Sequence, residues 1–171
     1  CTSPSLGSGL SDDLKKLPCV TNDYDALLGE VDAVYILSKP QSHYVQIKNA
    51  FGLGKHVLCE PPIALSVDEW AELNTLAKEK NLILMDAIRT AYSTAYYRML
   101  PLVKSGRIGT VMSIDSSCTS LRDNDLPNEE LREKWNSICS WGPNAMLPIF
   151  QLLGTQYSQK CITSQIEDES I

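Results

Sequence analysis

The chain has 171 residues, of which 43% are hydrophobic and 21% charged, with a formal net charge of −6. This length and composition fit one ordinary domain, or one domain plus part of a second, with a normal core. The scattered lysines and arginines argue against a nucleic-acid or acidic-membrane partner, because phosphate binding needs a clustered basic surface.

The cysteines and the hydropathy pattern restrict the class of protein further. The six cysteines form no CxxC pair and no Cys/His zinc spacing, so we expect reduced thiols and no metal site. No apolar run reaches the roughly 18 residues of a membrane span. Together these features predict a cytoplasmic protein without a membrane partner.

The first stretch of the chain is poor in structural signals. Residues 1–18 are rich in Ser, Gly and Pro, and residues 24–28 predict a short helix. No strand followed by a glycine-rich turn precedes the first firm strand. We therefore expect the chain to begin part-way into an α/β fold.

Two apolar, β-branched runs in the first half predict buried strands. They lie at residues 31–37 and 54–59, and each ends abruptly in polar residues and proline. Apolar residues at helical spacing between His43 and Leu53 predict a helix, which gives a βαβ unit with parallel strands. Ligands bind outside the carboxyl ends of such strands. A site is therefore expected at residues 38–43 and 60–62.

A second βαβ unit follows directly. Ser66 and Glu69 have the spacing of a capping box, and Val67, Trp70, Leu73 and Ala77 predict the apolar face of a helix at 66–80. Residues 82–88 then predict another buried strand.

The second half predicts less regular structure. The expected elements are a helix at 94–105 stopped by Gly106, a strand at 110–119, a polar irregular stretch at 121–136, a helix at 142–153 that Pro148 kinks or begins, and the start of a strand at 161–166.

The order of these features resembles the Gfo/Idh/MocA oxidoreductases from about residue 20 to about residue 155. The matching segments are 31–43, 54–62, the capped helix at 66–80, Leu84-Met85-Asp86, and Ala95-Tyr96 running into Lys104–Val111. The resemblance implies an α/β fold, with an incomplete Rossmann-type parallel sheet in residues 1–90. Residues 91–171 would begin an α/β substrate and oligomerisation domain with a mostly antiparallel sheet. It also implies NAD or NADP as cofactor and a small sugar or polyol as substrate.

The resemblance also implies site residues. The family's T-P-N-x-x-H loop is similar to Ser38-Lys39-Pro40-Gln41-Ser42-His43, and its E-K-P loop is similar to Glu60-Pro61-Pro62. This assigns cofactor binding to Ser38, Pro40, His43, Glu60 and Pro61. The family's D-x-G-x-H motif aligns with Ser140–Asn144, which assigns substrate binding to Trp141 and Asn144. Arg89 follows a strand end and is a further substrate-binding candidate.

Three catalytic positions of the family differ here. Pro61, Ser140 and Asn144 stand where relatives have Lys, Asp and His, and none of them can take the proton that hydride transfer from a carbinol releases. The glycine-rich G-x-G-x-x-G turn is absent as well. His43 has the most suitable side chain left for this role.

Each candidate also has a structural interpretation. His43 can cap and pack a helix start, the Glu60 carboxylate can accept backbone N–H groups, and Pro61-Pro62 can preserve loop shape with a cis bond. Trp141 and Asn144 can pack around a helix start instead of contacting a sugar.

Two functional hypotheses follow. The first is an NAD(P)-dependent sugar or polyol oxidoreductase, and the second is a catalytically silent relative that serves as a binding or scaffold protein. A regulatory module that closes on a partner subunit has no sequence feature of its own. An incomplete sheet leaves an exposed edge, so a homo-oligomer is expected.

Overall fold

The computed structural model describes residues 16–118 and 137–163. The elements in chain order are α1 (Tyr24–Gly29), β1 (Ala33–Ile36), α2 (Pro40–Gly52), β2 (His56–Cys59), α3 (Val67–Glu79), β3 (Leu84–Asp86), α4 (Arg89–Tyr92), α5 (Thr94–Lys104) and α6 (Ser137–Leu153).

The strands form a parallel sheet in the order β1-β2-β3. Ala33 pairs with His56 at the start of β1, and Cys59 pairs with Asp86 at the end of β3. Each connection is a crossover helix, so both predicted βαβ units are confirmed. The carboxyl ends of the strands consequently meet at one edge, as parallel pairing requires.

The core lies on one face of this sheet. Alternate strand residues such as Val34, Ile36 and Val57 are buried against Phe51 of α2 and Leu73 of α3. Successive crossovers of the same hand place both helices on the same side, and the side chains between them close the core.

The opposite face of the sheet is exposed. Tyr35 has 49% of its surface accessible and Leu37 has 65%, while their neighbours in sequence, Val34 and Ile36, are buried. The predicted burial of β1 therefore holds for one face only, because within the described residues neither α2 nor α3 covers this side. An apolar run predicts a strand, but it does not tell how many faces are covered.

Helix α3 begins at a capping arrangement close to the predicted one. The Ser66 Oγ accepts a hydrogen bond from the Glu69 backbone N–H at 3.1 Å. The Glu69 carboxylate accepts from the N–H of Leu65 at 3.1 Å, one residue before the expected position. Both bonds satisfy backbone donors at the helix start. At the end of α5, Gly106 has a φ of 76°, which confirms it as the predicted helix stop.

The predicted apolar face of α3 is only partly packed. Leu73 and Ala77 are buried, whereas Val67 is 81% exposed and Trp70 is 49% exposed. The first turn of the helix therefore extends beyond the core, and its apolar side chains remain open.

Several predictions for the second half differ from the structure. Residues 110–118 form no strand, because no neighbouring strand in the described regions supplies hydrogen-bond partners, and residue 119 is outside those regions. No strand follows Asp86 within residues 16–118 and 137–163, so the expected antiparallel sheet has no strand there. Helix α6 begins at Ser137 rather than at Gly142, and both Pro143 and Pro148 lie inside it.

The strand predicted near the end of the chain is not found in the part that the structure describes. Residues 161–163 are irregular, and the remainder of the strand predicted at 161–166 lies outside the described residues, as does 121–136. Among the helices that the structure describes, none is long and apolar enough to cross a bilayer. Cys59, Cys118 and Cys161 are free thiols.

Candidate functional site

The loops after the three strands meet at the carboxyl edge of the sheet. Ser38 follows β1, Glu60 and Pro61 follow β2, and Arg89 begins the short helix after β3. The Glu60 backbone N–H donates to the carbonyl of Ile36 at 3.0 Å, which extends the β1–β2 pairing into this edge. The predicted grouping of the residues 38–43 and 60–62 is therefore found.

His43 joins two of these loops. Its side chain is fully buried, with Nε2 2.9 Å from the carbonyl oxygen of Ser38 and Nδ1 2.8 Å from the carbonyl oxygen of Pro62. Pro62 follows a cis peptide bond with Pro61, as the loop sequence suggested. A neutral imidazole donates through one nitrogen, so only the protonated ring donates to both carbonyls. The ring therefore bridges the loop after β1 and the loop after β2.

This burial bears on the two interpretations of His43. Both ring nitrogens face main-chain oxygens rather than solvent. A proton acceptor must reach the substrate hydroxyl directly or through one water. The geometry favours a residue that positions both loops, and the assignment of His43 as a catalytic group stays a prediction.

Glu60 is held by Tyr35, a residue of β1. The Tyr35 hydroxyl donates a short hydrogen bond to Glu60 Oε1. This bond raises the pKa of Tyr35, with a smaller opposing effect from the positive charge of Arg89. One oxygen of the Glu60 carboxylate is therefore engaged by Tyr35 at the exposed face of the sheet, close to the Arg89 charge.

Asp86 ends β3 on the other face of the sheet. Its Oδ1 atom is buried and has no hydrogen-bond partner among the residues that the structure describes. Burial, reinforced by the negative charge of Glu60, raises the pKa of Asp86 to about 6, and the nearby His43 acts in the opposite direction. A carboxyl group that titrates near neutral pH thus lies beside the loop-bridging histidine.

The three predicted substrate residues occupy different surroundings. Arg89 is exposed, whereas Trp141 and Asn144 in α6 are half-buried. The Asn144 Oδ1 accepts a hydrogen bond from the Thr90 hydroxyl at 3.0 Å, which ties α6 to α4. This contact supports the packing interpretation of Asn144, while Arg89 lies at the carboxyl edge as predicted.

Sequence reasoning did not single out Tyr35 or Asp86 as site residues. The alternation of side chains along the strands could have identified both residues. Asp86 lies two residues after Leu84, on the core-facing side of β3, and Tyr35 lies between the two buried residues of β1. A carboxylate with core-facing parity at a strand end is unusual, because burial penalises its charged form.

The polar groups at the carboxyl edge of the sheet fit part of a nucleotide cofactor. Glu60 offers an acceptor for ribose or amide groups, and the loop starting at Ser38 leads into the N-terminus of α2 with Pro40 at its first position. Within the regions that the structure describes, no three His, Cys, Asp or Glu side chains group in a way that would hold a metal ion.

Comparisons with known proteins agree with this geometry. Residues 13–87 match the model of an oxidoreductase family with an NAD-binding Rossmann fold, GFO_IDH_MocA. A 3-reductase of Streptomyces violaceoruber that acts on dTDP-3,4-didehydro-2,6-dideoxy-alpha-D-glucose is 38% identical over 98 residues, which cover 56% of this chain and 29% of the reductase.

Solved structures give the same result for the fold. An oxidoreductase from Bacillus cereus superposes with a TM-score of 0.67 at 27% identity, covering 80% of this chain and 39% of that one. Scyllo-inositol dehydrogenase from Lactobacillus casei, with bound NAD(H) and scyllo-inositol, has a TM-score of 0.50 at 30% identity over 53% of this chain and 28% of the dehydrogenase. The chain thus spans less than half the length of these relatives.

Proposed function

We propose that this chain is part of an NAD(P)-dependent oxidoreductase of the Gfo/Idh/MocA family, whose NAD-binding Rossmann model matches residues 13–87. The proposed reaction is hydride transfer to or from a sugar or polyol derivative. The observation that carries this proposal is the meeting of Ser38, Glu60 and Arg89 at the carboxyl edge of a parallel sheet.

The cofactor contacts are proposed at the two loops that His43 joins. The exposed side of the Glu60 carboxylate would accept hydrogen bonds from ribose hydroxyls or the nicotinamide amide, with Tyr35 fixing its orientation. Ser38, Pro40 and Pro61 would shape the surface against which the nicotinamide ribose lies. When bound, NAD(P) supplies the hydride chemistry, and these residues bind and orient it.

The names of two relatives support the proposed class of substrate. Two of them act on a didehydro-dideoxy-glucose nucleotide and on scyllo-inositol. We place Arg89, Trp141 and Asn144 on the substrate side, with the nucleotide-binding part in residues 1–90 and the substrate and oligomerisation part in 91–171. Self-association is part of the proposal because β1 is an edge strand among the described residues.

A second candidate function is a silent relative that binds without transferring hydride. Pro61 occupies the position of the family's catalytic lysine, and the Asn144 side chain is engaged with Thr90. Both positions thus lack a group that accepts a proton near neutral pH. This observation favours a binding role if no other residue of the complete protein replaces the missing groups.

Titration of the 171-residue chain with NADH and with NADPH, followed by nicotinamide fluorescence, tests the cofactor site. Saturable binding that Glu60→Ala weakens about tenfold, through loss of charge-assisted hydrogen bonds, is expected. Glu79→Ala, at the far end of α3, is the matched control and should leave binding unchanged. Absence of binding at millimolar cofactor would contradict a cofactor site in this chain.

A second measurement separates the enzyme from the silent relative. The chain with bound NAD or NADP is mixed with a panel of sugars and polyols, and formation of reduced nicotinamide is followed by its absorbance. Reduction of the cofactor supports the oxidoreductase. Cofactor binding without reduction, across the whole panel, supports the silent relative.

A further inference from the structure

A cleft of about 390 Å³ lies between the loop after β2 and helix α6. Residues 62–67 form one wall, and Trp70, Asp86 and Pro143 complete the lining. The cleft is on the helix-covered side of the sheet, because Asp86 lies two residues after Leu84 in β3 and therefore on the same face. It is thus distinct from the exposed face where Tyr35 holds Glu60.

The charge of the cleft has a single sign. Among the described residues that line it, Asp86 is the one ionisable side chain, and none is Lys, Arg or His. Oδ1 of Asp86 is buried and finds no hydrogen-bond donor among the described residues, which makes the charged form of this carboxylate costly. A positively charged group in the cleft would offset this cost by pairing with the charge of the carboxylate, whereas a phosphate or carboxylate group would be repelled.

The groups around Asp86 belong to two neighbouring elements. The Cys59 thiol at the end of β2, Glu60 just after it and His43 in α2 interact electrostatically with Asp86. Glu60 adds negative charge near the cleft. The ring nitrogens of His43 are directed at the carbonyls of Ser38 and Pro62. Among the described residues, no donor therefore reaches Asp86 Oδ1.

The walls of the cleft are apolar and include an aromatic ring. Trp70 retains 49% exposure and Val67 retains 81%, although both lie on the apolar face of α3. An indole ring is the most favourable aromatic partner for an organic cation. A carboxylate and an open indole in one apolar cleft are the two elements that an ammonium group on a hydrocarbon body requires.

We propose that this cleft binds an organic cation, namely a protonated primary amine carried on a compact apolar ring or chain. The ammonium group donates to Asp86, and the hydrocarbon body packs against Trp70 and the loop 62–67. This site is additional to the proposed cofactor site and does not depend on oxidoreductase activity.

The test is a calorimetric titration of the full chain at about pH 8, above the raised pKa of Asp86, with benzylamine and benzyl alcohol as probes. The two probes have the same ring, but only the amine is protonated. We expect saturable binding of the amine, tighter than the alcohol by about tenfold or more, as the paired charges predict.

Variants locate the site. Asp86→Asn should reduce amine binding to the level of the alcohol, and Trp70→Leu should weaken both probes. Asp68→Asn removes one carboxylate from the exposed first turn of α3, outside the cleft, and should leave binding unchanged. Circular dichroism confirms that each variant is folded before its titration.

Lowering the pH to about 5 should also reduce the preference for the amine several-fold, because most of Asp86 becomes protonated while the amine keeps its charge. The proposal is overturned by equal binding of both probes, by equal losses in Asp86→Asn and Asp68→Asn, or by no saturable binding at millimolar amine.

Discussion

The imidazole of His43 lies 2.8 Å from the carbonyl oxygen of Pro62, 19 residues further along the chain, and so fixes the loop after β2 to the start of α2. The second nitrogen contacts Ser38 in the loop after β1. One buried side chain thereby sets the relative position of the two loops that carry the candidate cofactor residues. The arrangement of the carboxyl edge depends on this ring.

His43→Ala should lower the free energy of unfolding by about 3 kcal/mol, because it removes a fully buried ring and the contacts that this ring makes with the carbonyls of Ser38 and Pro62. Urea unfolding followed by circular dichroism measures the change. Ser42→Ala, at an exposed position of the same helix turn, is the control and should change it by less than about 0.5 kcal/mol. Equal effects of the two substitutions would contradict the bridging role.

Asp86 should make stability depend on pH. Its pKa is raised from 3.8 to about 6 in the folded chain, so its contribution is fully present below the unfolded value and is lost as the pH rises through 6. Asp86→Asn removes this titration. The variant should therefore gain stability relative to the natural chain between about pH 4 and pH 8, by on the order of 1 kcal/mol after solvent screening.

Urea unfolding of both proteins across this pH range measures the difference. Asp68→Asn, with its carboxylate exposed, serves as the control and should give a difference that does not vary across the same window. A stability gap between Asp86→Asn and the natural chain that stays constant with pH would contradict the raised pKa.

Ser66→Ala should destabilise the chain by about 1 kcal/mol, because the hydroxyl that accepts from the Glu69 N–H is lost at the start of α3. Thr75→Ala, in the exposed middle of the same helix, should be neutral or slightly stabilising, since alanine has the higher helix propensity. Thermal unfolding of the two variants side by side measures this. A larger loss at Thr75 than at Ser66 would show that the cap contributes little.

The β-branched runs and the Ser66 cap made the first half of the fold predictable, because strand, turn and cap signals are local. Whether the face of a sheet or helix is covered depends on distant parts of the chain, which a local pattern does not reveal. For this reason Tyr35 and Trp70 were expected to be packed, although both are half-exposed. The strand predicted at 110–119 shows the same limit. Its alternation is real, but a strand needs a neighbour, and local sequence does not supply one.

The candidate site was predictable in part for a similar reason. Glu60 and His43 could be placed at the edge because they follow apolar strands directly. The contact of His43 with Pro62 joins residues from different loops, and no spacing in the sequence encodes it. Asp86 has the core-facing alternation of β3, but the lack of a hydrogen-bond donor for its Oδ1 among the described residues depends on packing that the local sequence does not show.

Cys59, at the end of the central strand, gives the sheet a built-in chemical reporter. Its thiol is fully buried, and burial beside Asp86 and Glu60 raises its pKa to about 12, so almost no thiolate is present at neutral pH. Alkylating reagents consume thiolate, and they therefore reach Cys118 and Cys161 long before Cys59. The rate at which Cys59 is alkylated consequently reports how often β2 separates from the helices that cover it.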